Sequence, residues 1–220
     1  IFIFYNLSKF SQKGWEKVID DGVIKYNRSN FTQTGPIESS NWSNLEHWRT
    51  KLFKLNLIGE YPIEKVGFGN ISSLNKFDKQ AEFIITGTQT GKYSSLTGEH
   101  YTIVYGYDID QMNLFSKGPI EPSSEALTHA SIYESNKEIK AVFHIHSEKI
   151  WKKMIEYNYD FTRENTPYGT SEMASEVRQL IGNKSSGTIV MKGHKDGVIA
   201  YGKSLDETGA LILELAKKFI

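Results

Sequence analysis

Apolar residues recur at helical spacing over Leu45, Trp48, Leu52 and Leu55, which predicts a helix that buries one face. The Ser43-Asn44 pair predicts its start and Gly59 its stop. Phe83-Ile84-Ile85 is a continuous apolar run of strand type, and the small polar run Thr86 to Gly91 follows it. Tyr101 to Tyr107 reads as a second strand, with Met112 to Ser116 returning beside it. Pro122-Ser123-Ser124-Glu125 has a proline early and an acid in the first turn, so it predicts a helix running to about Glu134. Ala141-Val142-Phe143 reads as a short buried strand leading into His144-Ile145-His146. Helices are expected over Lys149–Tyr157, Ser171–Ile181 and Leu205–Phe219, with strands over Thr188–Met191 and Gly197–Tyr201.

Residues 1–43 follow a different pattern. Gly22, Asn27, Asn30, Gly35, Pro36 and Ser39-Ser40 cut them into short pieces, so they are set apart as an N-terminal extension ahead of a domain over 44–220. Gly67 to Ser72 reads as a tight glycine-bearing loop. Strands and helices intermix throughout the rest, which predicts an α/β domain with helices on both faces of a sheet.

Composition narrows the function. Hydrophobic residues make up 39% of the 220, enough for a folded core. Lys plus Arg and Asp plus Glu each number 26, so no basic surface points to nucleic acid. No run approaches the ~18 apolar residues that span a bilayer. The apolar start Ile1-Phe2-Ile3-Phe4 is interrupted by Asn6, Lys9 and Lys13 too early for a signal peptide. Cysteine is absent. Any transition-metal site must therefore use histidines and carboxylates, and a cytoplasmic setting is expected.

His144-x-His146 carries the clearest chemical signal. Residues two apart at a strand end point to one side, so two imidazoles there can chelate one cation. The same pair also fits two polar residues on an exposed strand end. His194 follows the apolar run Val190-Met191 and sits next to Gly193, where it can act as a third ligand or as an ordinary loop histidine. Glu125 in a first helical turn is favoured by the helix dipole whatever its chemistry. Ser123 and Ser124 precede it at a helix start whose backbone N–H groups are expected to be free for an anion. His129, four residues after Glu125, shares its helix face; it can orient that carboxyl or simply fill the core. Gly69-Asn70 and Thr86 to Gly91 offer backbone amides and hydroxyls for an anion, but neither is followed by the Gly-Lys-Ser/Thr of a nucleotide loop.

Taken in order, these pieces resemble the class II aldolase/adducin family, typified by the sugar-phosphate aldolases. The ordered pieces are Gly69-Asn70-Ile71-Ser72, Ile85-Thr86-Gly87-Thr88, Pro122-Ser123-Ser124-Glu125, Ala141 to His146, Pro167-Tyr168-Gly169-Thr170 and Gly193-His194, over roughly residues 45–218. The resemblance implies a three-layer α/β/α sandwich around a mostly antiparallel sheet. It implies Zn2+ or another divalent metal on His144, His146 and His194, and Glu125 as the catalytic proton-transfer group. Gly69, Asn70, Thr88, Ser123 and Ser124 would bind the substrate phosphate.

The activity implied is a lyase of carbohydrate metabolism, an aldolase that cleaves or forms a C–C bond in a small phosphorylated sugar through a metal-stabilised enediolate. A homotetramer is implied, with no nucleic-acid or membrane partner. The same scaffold supports a sugar-phosphate dehydratase of the methylthioribulose-phosphate type, or a non-catalytic adducin-like interaction domain, which lacks the histidines present here. Sugar-phosphate epimerases of the family carry Asp where Glu125 stands. Three departures stand out: His194-Lys195-Asp196-Gly197 lengthens the turn after the third histidine, the Thr-Gly loop is long, and the N-terminus is extended. Whether Thr88 or Thr90-Gly91 meets the phosphate stays open.

Overall fold

The computed structural model describes residues 22–74 and 83–220. The apolar start of the chain and the charges that interrupt it lie outside the described residues. The described residues form a mixed α/β fold on an eight-stranded sheet. Its strands are β1 (Phe31–Gln33), β4 (Asn70–Leu74), β5 (Phe83–Thr86), β6 (Tyr101–Asp108), β7 (Asn113–Gly118), β8 (Ala141–His146), β9 (Gly187–Val190) and β10 (Gly197–Gly202). They lie in the order β1-β7-β6-β5-β4-β8-β10-β9. Every pair is antiparallel except β1 with β7, which is parallel. A small separate ladder joins β2 (Gly59–Glu60) to β3 (Gly67–Phe68).

Five helices cover the sheet: α1 (Ser39–Lys54), α2 (Ala126–Ser135), α3 (Glu148–Glu156), α4 (Ser171–Ile181) and α5 (Leu205–Phe219). Side chains alternate along β8 and so feed two cores. Val142 joins the cluster that contains Leu127 and Ala130 of α2 and Met173 and Val177 of α4. Ala141, Phe143 and Ile145 join the other, with Leu52 of α1, Met154 of α3 and Ile212 of α5. Ser147, Thr170 and Ser204 each accept a backbone N–H at the starts of α3, α4 and α5, the ordinary side-chain cap. No described helix is long and apolar enough to cross a membrane.

The structure departs from the sequence expectation in several places. α1 begins at Ser39 rather than at Ser43-Asn44; its first turn is polar and largely exposed except for Trp42, which stacks on buried Tyr101. Gly67 to Ser72 is not one loop. Only Gly69 turns, at φ +75°, and Asn70 onward enters the sheet opposite His144. The stretch 22–43, set apart as an extension, supplies β1 to the main sheet and buries Tyr26 in the α2–α4 core.

Candidate metal centre and active site

β8 is buried along its whole length and lies between β4 and β10. His144 and His146 project from it to the side where α2 packs, because they share the parity of Val142. Their Nε2 atoms are 3.0 Å apart, so at most one proton fits between them. His194 arrives from the turn between β9 and β10. Gly193 is needed there, since a Cβ on it would lie 1.8 Å from the Thr166 carbonyl oxygen. Asp196 takes φ +65° and its carbonyl receives the Ser147 N–H at 2.9 Å. The lengthened His194-to-Gly197 turn is thereby tied to the start of α3.

The three rings converge. Their centroids are 4.8, 5.1 and 4.7 Å apart for the pairs 144–146, 144–194 and 146–194. One nitrogen from each lies within 4.8 Å of the others. Two nitrogens each about 2.0–2.1 Å from a tetrahedral ion are about 3.3 Å apart, so the observed spacings bracket that of a bound ion. Burial, then His194 and His144, push the His146 imidazole well below its ordinary pKa. A neutral imidazole is the form that ligates. Tyr61 Oη lies 2.8 Å from His146 Nδ1 and fixes that ring from behind, the usual arrangement around a ligating histidine.

Glu125 faces this cluster. It occupies the N-cap position of α2, but its carboxylate makes no cap bond. Instead Oε1 lies 3.0 Å from His194 Nδ1 and Oε2 lies 3.8 Å from His144 Nε2. Burial raises its pKa, yet the facing imidazoles of His144 and His194 outweigh that and hold the group down at about 2. A fully buried carboxylate without a cation nearby would be strongly disfavoured, so the carboxylate and the histidines belong to one electrostatic unit.

The cavity beside these groups is lined by Gly69, Asn70, Thr88, Ser123, Ser124, Glu125 and the three histidines, among others. The residues singled out in the sequence therefore meet in one place. One expectation fails in detail: the Ser123 N–H is not free but donates to the Thr86 carbonyl at 3.1 Å, because the segment before α2 is tied to the end of β5. Asn70 Oδ1 is buried with no hydrogen-bond donor among the described residues. Thr90 Oγ1 is engaged with the Gly87 carbonyl at 2.9 Å.

The family profile described as Class II Aldolase and Adducin N-terminal domain matches residues 55–219. The chain belongs to that family. No curated protein matches it in sequence. Among solved structures, a sugar-phosphate aldolase from Thermotoga maritima superposes with a TM-score of 0.61 at 16% identity, over 81% of this chain and 91% of that one. L-fuculose-1-phosphate aldolase from Thermus thermophilus gives 0.58 at 19%, over 82% and 91%. YgbL from Klebsiella pneumoniae, described as a putative aldolase/epimerase/decarboxylase, gives 0.59 at 18%, over 81% and 86%. At such identities the likeness is one of fold.

Further residues shape the site of this class II aldolase-family chain, and Arg49 among them carries no local sequence signal. Buried Arg49 of α1 donates to the carbonyls of Thr90, Gly91 and Tyr93 and so clamps the Thr-Gly loop. Gln89, at φ +55°, accepts the Gly67 N–H at 2.8 Å. His129 is buried, its Nδ1 2.7 Å from Ser72 Oγ, which lies 2.7 Å from Tyr133 Oη. Of the two readings open from sequence, His129 therefore fills the core, while Glu125 turns toward His194.

Proposed function

We propose that the chain is a divalent-metal-dependent lyase acting on a small sugar phosphate, an aldolase in the direction of C–C cleavage or formation. The observation that carries this is the convergence of three buried imidazoles beside one buried carboxylate. The all-nitrogen donor set of His144, His146 and His194 suits zinc. A cation bound there supplies Lewis-acid stabilisation of negative charge developing on a sugar carbonyl oxygen.

The remaining work falls to side chains. Glu125, ionised and within reach of that centre, moves the proton at the carbon next to the carbonyl. Its side chain is 2% exposed, which limits the access of bulk water to that proton. Asn70 Oδ1, buried in the cavity wall without a protein donor, accepts a substrate hydroxyl. Gly69, at φ +75° with the Ile58 side chain and the His144 carbonyl where a Cβ would be, makes the turn that brings Asn70 to the cavity wall. Thr88, Ser123 and Ser124 hold the anionic end. Thr88 takes that role over Thr90, whose hydroxyl already donates to Gly87.

The two apolar clusters on opposite sides of β8 support a three-layer α/β/α arrangement. The family resemblance supports a homotetramer, and the lack of cysteine is in keeping with the cytoplasm. The test is a screen of zinc-loaded protein against sugar phosphates with mass detection. Cleavage to two smaller carbonyl compounds supports the aldolase. Loss of one water from an intact carbon skeleton assigns a dehydratase, and a folded chain that takes up no zinc and turns over nothing points to an interaction domain.

A further inference from the structure

The segment Gly22–Tyr26 lies against the metal centre through a residue the proposed reaction leaves unused, Tyr168. The Tyr168 ring stacks on His194, with centroids 4.5 Å apart and planes at 25°. Its hydroxyl accepts the Val23 N–H at 3.0 Å. Lys25 Nζ donates to the Tyr168 carbonyl at 3.0 Å and sits 4.0 Å from the ring centroid, a cation–π contact. Two flanking contacts fix the segment. Tyr26 Oη donates to the Pro122 carbonyl at 2.7 Å, just before the serines that precede Glu125. Gly22 lines the cavity so closely that a Cβ on it would lie 1.9 Å from Gln89 Nε2.

We infer that Gly22–Tyr26 is a built part of the metal centre and that it positions His194 through Tyr168. The physical reason is the location of His194. His144 and His146 are held by a central strand, and His146 also by Tyr61. His194 stands in a turn, where the sheet does not fix its ring plane. The Glu125 carboxylate meets its Nδ1 edge, and the stacked aromatic sets its face, provided that aromatic is itself immobile; Val23 and Lys25 hold it from the far side. Tyr168 is thus a positioning residue, and Lys25 acts one step further out. The inference rests on the metal reading of the three histidines.

The test titrates Co2+ into metal-stripped full-length protein against a chromophoric chelator and records the visible absorption of the bound ion. Loss of an outer partner of a ligating histidine typically weakens binding about 10–100-fold. Tyr168→Leu is therefore expected to weaken Co2+ binding by about tenfold or more and to change the absorption band. Tyr168→Phe keeps the ring and the Lys25 contact but loses the hydroxyl that holds Val23, so it is expected to fall between Tyr168→Leu and wild type in both affinity and band. Lys25→Met is expected to weaken binding less, and to add nothing in the Tyr168→Leu background, because both act through one contact. If Tyr168→Leu does not fold, Lys25→Met against wild type decides alone. Wild-type uptake of Co2+ with unaltered affinity and spectrum in Tyr168→Leu, or in Lys25→Met where that variant decides, overturns the positioning role only. A wild-type chain that takes up no Co2+ overturns the metal reading and this inference together.

Discussion

Strand β8 and the hairpin β6–β7 belong to one sheet but place polarity in opposite ways. On the hairpin the sheet exposes aromatics: Tyr105 and Phe115 are 38% and 37% exposed and their rings pair at 6.4 Å, next to the irregular register between Val104 and Gly106. On β8 the sheet buries imidazoles, with His144 and His146 at 1% and 5% exposure. Partly exposed apolar side chains are ordinary in folded proteins. Buried titratable groups are not, because each costs stability unless it is paired. The centre of the sheet therefore holds buried polar groups that the fold alone does not require, whereas the hairpin's exposed aromatics need no such explanation.

Mutation should separate the two regions by size of effect. Phe143→Ala on β8 removes a fully buried ring that packs against Trp48. It is expected to cost about 3–5 kcal/mol in denaturant unfolding. Glu125→Gln is expected to keep the metal and lose turnover by about 10²-fold or more, measured on whichever sugar phosphate the screen identifies; unchanged turnover would remove Glu125 from the mechanism. Zinc at a hundred times its dissociation constant is expected to raise the unfolding free energy by about 2.7 kcal/mol, and His194→Ala to abolish that dependence. If His194→Ala stabilises with zinc as the wild type does, the third ligand is misassigned.

Acid should sharpen the contrast further. Burial holds His129 at about 3, below its ordinary 6.5, with Glu125 opposing and His144 reinforcing the shift. Between those values the unfolded chain binds the proton and the folded chain does not, so stability falls as pH drops from 6.5 toward 3. The slope from this one group approaches about 1.4 kcal/mol per pH unit. His129→Asn is expected to flatten it in pH-dependent denaturant titrations, and an unchanged slope would show that His129 is not the group. Phe115→Ala on the hairpin is the smallest expected effect, within about 0.5 kcal/mol. A cost as large as that of Phe143→Ala would show that the hairpin face is buried in an assembly.

Legibility in the sequence follows the range of the interactions. His144-x-His146 was readable because strand alternation alone puts both rings on one side. Helices α4 and α5 were readable because apolar spacing and an N-cap threonine or serine agree at their starts. Glu125 and His194 gained meaning only from the ordered resemblance, since a single acid at a helix start or a histidine after glycine is commonplace. Tyr61 and Arg49 are opaque, and Tyr168 enters only as part of the Pro167-to-Thr170 piece of the resemblance, with no role attached to it. Tyr61 meets His146 85 residues away, and Val23 meets Tyr168 145 residues away, and no local pattern encodes such pairings. The start of α1 is hidden in the sequence because its first turn is polar apart from Trp42, whose stacking on Tyr101 is a long-range contact that no local pattern shows.

The proposed function stands on three side chains holding one ion. Its most direct test is the metal content of wild type and His144→Ala, purified without added metal and measured by elemental mass spectrometry alongside protein concentration. One equivalent of a divalent transition metal per wild-type chain and little in His144→Ala is the predicted result. A folded wild-type chain that carries none after zinc loading, or a His144→Ala chain that keeps a full equivalent, would contradict it.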